Sequence, residues 1–323
     1  MSFEHLGMQE RIQPQVPKPP IERVDVYERA PRTERLISLS DIHNDLHALR
    51  GSLEQKKLID KDGEWKYLAE PLHLVITGDS INKQHPDVNV LKYLKHVQES
   101  APEGSSVTLL VGNHELDVLA RDTEGKETGL KEKRIEFLGT MQVVCKQGPV
   151  LFLHRYPSLS LIHELEAQYT GMHGEVTNDS WDINKRFQDA VVTRHITPEK
   201  SLEVFRACDD GGEDVALEGM STEAYYQKYG ELIGQLLARM GITVVVHGHK
   251  RQVSGGQHFE SHIPGVVMVN NDTGISKDKN PEHKHRIASA DISVGENGID
   301  ITCVYKHDMK KHGNMQVQKQ TIH

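Results

Sequence analysis

Leu36-Ile37-Ser38-Leu39-Ser40 runs straight into Asp41-Ile42-His43, and this junction decides how the rest of the chain is read. A short apolar run of this kind marks a buried strand rather than a helix segment. Metal-type side chains directly beyond it stand where open α/β sheets place their ligand crevice, outside the carboxyl ends of the strands. The same juxtaposition recurs four times: Leu72–Thr77 leads to Gly78-Asp79, Val107–Val111 to Gly112-Asn113-His114-Glu115, Val150–Leu153 to His154, and Ile242–Val246 to His247-Gly248-His249. Side chains spread from Asp41 to His249 are thus expected on one rim. A sixth strand is expected at Val266–Val269.

Helix-period stretches separate these runs. Asp45–Lys57 aligns Leu46, Leu49 and Leu53, and Asp87–Glu99 aligns Val88, Leu91, Leu94 and Val97. Thr222–Met240 carries Tyr226, Tyr229, Ile233, Leu236, Leu237 and Met240 on a core face, with Gly241 as its stop. After residue 285 the pattern becomes a hairpin, Ile287–Val294 and Ile299–Tyr305 around Gly295–Gly298. Residues 121–135 are strongly charged and read as an exposed loop or short helix. Strand–helix alternation followed by antiparallel strands predicts a mixed-sheet α/β fold. Residues 1–33 hold five of the 13 prolines and read as an extended arm. A single catalytic domain is expected over 34–310, with a helical insert at about 155–240 and a tail at 311–323.

Composition narrows the function classes. The chain has 323 residues, 37% of them hydrophobic and 26% charged, which excludes collagen, coiled coil and wholesale disorder. No apolar run approaches the roughly 18–20 residues of a membrane span, so no membrane partner is expected. A net charge of −9 argues against general nucleic-acid binding. Cys145, Cys208 and Cys303 lie far apart without a CxxC pair, so neither a disulfide framework nor a thiolate zinc site is expected. Met1-Ser2-Phe3-Glu4-His5 has neither a basic n-region nor an apolar h-region, which makes the cytoplasm the default expectation and leaves non-classical export open. Twenty histidines make any single histidine weak evidence.

The rim residues are chemically coherent. Asp, Asn and His without thiolate suit Mn²⁺, Fe or Zn²⁺ better than an all-oxygen Mg²⁺ or Ca²⁺ cage. Six such ligands are too many for one catalytic ion, and fit two divalent ions bridged by one carboxylate, about 3.5–4 Å apart. Gly78, Gly112 and Gly248 suit turns where backbone must come close to such a site.

In this order, Asp-x-His, Gly-Asp, Gly-Asn-His-Glu, a lone His and Gly-His resemble the metallophosphoesterase superfamily, and within it the phosphoprotein phosphatases. Asp41-Ile42-His43-Asn44-Asp45-Leu46, Leu58-Ile59-Asp60-Lys61-Asp62-Gly63-Glu64-Trp65, Gly78-Asp79 and Gly112–Glu115 look most like the bacterial, Shewanella-like branch. Val245–Lys250 and Val266–Ser276 resemble that branch's valine-rich strand and its closing Asp-x-Gly turn. The resemblance implies a four-layer sandwich of two mixed β-sheets flanked by helices. It gives Asp41 and His43 to one metal, Asp79 to both, and Asn113, His154 and His249 to the second. It makes His114 the general acid, with Glu115 orienting the loop, and a hydroxide held between the ions the nucleophile. The implied substrate is a phosphorylated protein (phospho-Ser/Thr or phospho-Tyr) or a small phosphoester. The alternatives are a nucleotide hydrolase resembling symmetrical dinucleoside tetraphosphatases, and a metal-containing binding protein that has lost turnover.

Two positions depart from the pattern Gly-Asp-x-Val-Asp-Arg-Gly. Asn82 stands where the family has the Asp that pairs with the general-acid histidine, and Lys83 stands for the phosphate-clamping Arg. Lys83 keeps the charge and loses the bidentate fork. Arg155, after His154, is a candidate to restore a guanidinium near the substrate. Blander readings exist for single residues. An isolated Asp79 is a helix cap, and His154 a structural histidine. His247 supports the ligands without being one, and His163, His173, His258, His262, His283 and His285 read as exposed polar residues.

Overall fold

The computed structural model describes residues 34–172, 181–193, 196, 220–249, 259–272, 287–306 and 316–323. The stretch 1–33, and with it the expected arm, lies outside the described residues, as do His173, Cys208, His258, His283 and His285. In chain order the first elements are β1 (Glu34–Leu39), α1 (Leu46–Gln55), β2 (Leu72–Ile76), α2 (Val88–Glu99), β3 (Ser106–Leu109), α3 (Asn113–Thr123), α4 (Glu132–Leu138), β4 (Val144–Gln147) and β5 (Val150–Leu153). Then follow α5 (Leu159–Gly171), α6 (Asp182–Val192), α7 (Thr222–Arg239), β6 (Val244–His247), β7 (Phe259–Glu260), β8 (Val267–Asn270), β9 (Ile287–Gly295), β10 (Gly298–Lys306) and β11 (Gln316–Ile322).

The central strands β1, β5 and β6 are apolar on both faces, and their side chains alternate between two cores. In β1, Leu36 joins one cluster while Ile37 and Leu39 join the other. Val150 and Phe152 against Leu151 and Leu153 repeat this in β5, as do Val244 and Val246 against Val245 in β6. One cluster is the seam between two sheets, and the other lies under the helices, with Leu49 and Leu53 of α1 and Leu91 and Leu94 of α2. Asp45 and Asp87 start those two helices by accepting the Ala48 and Asn89 amides at 2.9 and 2.7 Å.

The first sheet has the order β11-β10-β9-β1-β2-β3, with β1, β2 and β3 parallel and the hairpin strands antiparallel. The second has the order β4-β5-β6-β8-β7, parallel through β5, β6 and β8 with antiparallel edges. Two mixed sheets between helices make the sandwich that the motifs implied. The carboxyl ends of β1, β2, β3, β5 and β6 carry the five motif clusters.

Two local readings change, at the C-terminal end and before β5. Gln316–Ile322, expected in a tail beyond the domain, instead pairs with β10 from Ile299↔Ile322 to Tyr305↔Gln316. Its polar sequence gives no strand signal, because an edge strand needs only backbone partners and little burial. The charged stretch 121–135 is, as expected, mostly a loop (124–131) with a short helix: it runs from the end of α3 into α4, and only Thr128 and Ile135 in it are buried. β4 was unforeseen, and turns back onto β5 through Gly148-Pro149. No helix among the described residues is long and apolar enough to cross a membrane.

Candidate active site

Where β1 and β2 end, their ladder continues through the loops. Asp41 N donates to Gly78 O at 3.1 Å, His43 N to Asp79 O at 2.9 Å, and Asn44 N to Ser80 O at 3.0 Å. The loops hold an unusual backbone. Six non-glycine residues among those described have positive φ, and five of them lie on this rim: Asp41 (53°), His43 (44°), Asn44 (67°), Asp79 (51°) and His249 (66°). Asp, Asn and His tolerate the left-handed region better than other side chains, yet each such residue stores strain of about 1–3 kcal/mol. Strain concentrated in one place is the mark of a working site.

Three glycines let the loops meet. A Cβ at Gly78, whose φ is +92°, would lie 2.6 Å from His154 Nδ1 and 2.9 Å from the Gly112 Cα. One at Gly112 would overlap the Asp79 carboxylate and amide, and one at Gly248 the Ser40 hydroxyl and Asp41 carboxylate.

Each carboxylate is fixed by its own donors. Asp41 Oδ2 accepts from the Ser40 hydroxyl and, at 2.9 Å, from the His249 amide, while Oδ1 lies 3.6 Å from His43 Nε2. Burial by itself raises the Asp41 carboxyl, but the nearby His43, the charge of His154 and the Ser40 hydroxyl outweigh it and hold it well below the usual range. Asp79 Oδ1 sits at the α3 N-terminus, where it accepts the His114 amide at 2.9 Å. Its Oδ2 lies 3.8 Å from His43 Nε2 and 3.7 Å from His114 Nε2. Glu115, fully buried, accepts four amides: Asp79 and Gly112 at Oε2 (2.9 and 2.8 Å), Ser80 and Ile81 at Oε1 (2.8 and 3.1 Å). Burial pushes its carboxyl up to about 7, against the pull of those amides toward the anion.

His154 has the setting of a residue that could ligate a metal ion. Burial lowers its pKa to about 4, so the imidazole is neutral near pH 7. Its Nδ1–H donates to the Thr77 carbonyl at 2.7 Å, a group that can only accept, which leaves a lone pair on Nε2. That lone pair faces two more acceptors, Asn113 Oδ1 at 3.0 Å and Asp79 Oδ1 at 3.4 Å. Acceptors facing one another repel unless a cation lies among them. A histidine that anchors one ring nitrogen on a carbonyl and presents the other is the usual form of a metal ligand. His249 Nδ1 lies 2.9 Å from the same Asn113 oxygen. The ligand atoms of Asp79, His154 and His249 lie within 4.8 Å of one another, as do those of His43, Asp79 and His114. The two groups share Asp79, and both could hold a metal ion.

His114 Nδ1 lies between the Ile81 carbonyl (3.0 Å) and the Lys83 amide (3.2 Å), and its ring is tilted against His43 at 4.5 Å. Where a carboxylate partner for His114 was implied, Asn82 instead sends its side-chain amide to the His43 carbonyl at 3.4 Å. Asn82 and Lys83 are half-buried. Arg155 is buried and close enough to His154 for its charge to lower that ring's basicity.

A sequence model of the calcineurin-like phosphoesterases matches residues 35–251, a span that encloses the whole rim. This chain belongs to that family. Among solved structures, the cold-active protein-tyrosine phosphatase of a psychrophilic Shewanella species is similar at TM-score 0.53 and 20% identity, over 88% of this chain and 80% of that one. A protein serine/threonine phosphatase from Saccharomyces cerevisiae matches at TM-score 0.44 and 10% identity, over 88% and 79%. The Shewanella likeness is one of fold.

In this phosphoesterase the rim brings together Asp41, His43, Asp79, Asn113, His114, His154 and His249. Sequence reasoning missed Ser40, Asn44, the Thr77 carbonyl and Arg121, because nothing in their spacing distinguishes them from ordinary polar residues. It also missed a network behind His247. That ring is buried, rests against Tyr156 at 4.4 Å, and has Nε2 3.7 Å from Glu260 Oε2. Glu260 accepts from Tyr156 and Asn270 at 3.0 and 3.1 Å, and His262, expected to be exposed, stacks on Tyr226 with Nε2 3.4 Å from Glu260. Burial by itself raises the Glu260 carboxyl, but the neighbouring His247 ring, the Asn270 amide and the Tyr156 hydroxyl bring it down to about 2. A folded pKa below the unfolded one stabilises the fold above the unfolded value of 4.5, and that contribution is lost as pH falls through about 2. Wild type should therefore exceed Glu260→Gln in stability by on the order of 3 kcal/mol at pH 6. The gap should close toward pH 2. Paired melts showing a gap independent of pH would refute this account.

Proposed function

We propose that this chain is a phosphatase using two divalent transition-metal ions (Mn, Fe or Zn) to hydrolyse phosphomonoesters on proteins, phospho-Ser/Thr or phospho-Tyr. The observation that carries it is the His154 lone pair facing Asn113 Oδ1 and Asp79 Oδ1, a crowd of acceptors that a cation resolves. Asp41, His43 and Asp79 would hold one ion, and Asp79, Asn113, His154 and His249 the other. When bound, such ions supply Lewis acidity toward phosphoryl oxygens and activate water for in-line attack.

The protein's own groups do the rest. Asp79 joins the two halves, because each of its oxygens faces a different set of imidazoles. His114 holds the proton for the leaving oxygen. When its Nδ1 accepts from the Lys83 amide, the proton resides on Nε2, the atom on the Asp79 side. Lys83, with Asn82 beside it, places a cation for the phosphate on the same loop, and Arg155 adds a fixed positive charge behind His154. The Shewanella neighbour is by its name a protein-tyrosine phosphatase, which supports a phosphorylated protein side chain as the substrate class.

The test is elemental analysis of the purified protein joined to a panel of phosphopeptides, aryl phosphate and dinucleotides. About two ions per chain with turnover of phosphopeptides is the expected result. Preference for dinucleotides would favour a nucleotide hydrolase, and bound metal without turnover a binding protein. Activity insensitive to chelator in a metal-free protein would remove the reading altogether. Within it, His154→Ala should weaken one of the two metal sites and cost more than the roughly 10–100-fold that partners outside the ligand set cost. His163→Ala, exposed on α5, should leave both sites and turnover intact. Equal behaviour of the two variants would take His154 out of the ligand set.

A further inference from the structure

The loop Asn82–Asp87 carries Lys83 and ends at the N-cap of α2, yet it has no regular structure of its own. One side chain outside it grips it at three points. Asn44 Oδ1 accepts the Asn82 amide at 3.1 Å and the Asp87 amide at 2.8 Å, and Asn44 Nδ2 donates to the His85 carbonyl at 2.6 Å. The first, fourth and last residues of the loop are thus bound to one carboxamide. Asn44 itself is held by the hydrogen bond that its backbone N–H donates to Ser80 O at 3.0 Å, and its φ is 67°. Lys83 is then held within the loop from both sides: its amide reaches His114 Nδ1 at 3.2 Å, and its carbonyl accepts from Arg121 of α3. Arg121 is braced in turn by Asp117 at 3.3 Å.

We infer that Asn44 is a positioning residue, whose carboxamide sets the 82–87 loop so that Lys83 meets the phosphate group of the substrate. The inference rests on the role given above to Lys83. It places the selection of phosphate binding one step away from the residues that touch it. An irregular loop samples many conformations, and each hydrogen bond from a fixed partner removes part of that freedom before the ligand arrives.

Asn44→Gly isolates the side chain, because glycine adopts a φ near 67° without strain. The probe is inorganic phosphate, titrated calorimetrically into the metal-loaded protein, together with amide hydrogen exchange. Asn44→Gly and Lys83→Ala should each weaken phosphate binding by about tenfold, and the double variant should be no weaker than Lys83→Ala alone within about twofold. Exchange at the Asn82 and Asp87 amides should quicken in Asn44→Gly, and metal content should not change. Four results overturn the inference. Unchanged protection of those amides shows that the carboxamide does not hold the loop. Additive losses in the double variant, or a normal affinity in Asn44→Gly beside a weakened Lys83→Ala, show that it does not act through Lys83, and leave the proposed function standing. Normal affinity in Lys83→Ala removes the role of Lys83 itself, and the inference falls with it.

Discussion

Asp79→Asn is expected to retain less than one equivalent of metal and to lower kcat/KM by at least about three orders of magnitude. The substitution is nearly isosteric, so the fold should survive. What it removes is the one charge that faces both halves of the site: Oδ1 toward His154 at 3.4 Å, Oδ2 toward His43 and His114 at 3.8 and 3.7 Å. An amide in its place puts an N–H₂ against at least one of these imidazoles, where a cation could no longer be shared. Asp41→Asn should be milder, because Asp41 Oδ2 is already occupied by the Ser40 hydroxyl and the His249 amide, and only one half of the site depends on it. Elemental analysis and steady-state kinetics on both variants decide the matter. If Asp79→Asn keeps two ions and activity within tenfold of wild type, Asp79 is not shared between two sites.

The second large effect is on stability. Glu115 is fully buried and is the common acceptor for four amides drawn from the loops at 79–81 and at Gly112. A buried amide left without a partner costs about 1–3 kcal/mol, so Glu115→Ala should lose at least on the order of 4 kcal/mol. That is a large part of the total stability of about 5–15 kcal/mol of an ordinary domain. Glu115→Gln keeps one oxygen for two of the amides and should lose roughly half as much. Denaturant unfolding of the metal-free protein measures both without interference from metal binding. An unchanged midpoint in Glu115→Ala would mean that water replaces the carboxylate at no cost, and that the loops are held by other contacts.

The sequence by itself determined the strands that carry the site, and the side chains at their ends. Buried strands leave a record in composition, because both faces must be apolar. Leu36–Leu39, Leu72–Ile76, Val150–Leu153 and Val244–Val246 were therefore legible to within a residue or two. The ligand types were legible for a similar reason, since Asp, His and Asn directly after such strands have few structural uses. The start of α3 was not legible, because its first turn is Asn113-His114-Glu115, polar residues that a helix pattern does not require. Nor was β11, which is held by backbone pairing along β10.

Only the tertiary structure decided how those side chains are used. The proton on His154 is placed by the Thr77 carbonyl, 77 residues away in sequence, and the Asp41 carboxylate is oriented by the His249 amide, 208 residues away. Asn44 reads as one polar residue among many until the loop at 82–87 folds over it. Local pattern records what is buried, because burial is a property of each residue. Which nitrogen carries a proton, and which oxygen is left to bind a cation, are properties of pairs, and the pairs form only when the two sheets meet.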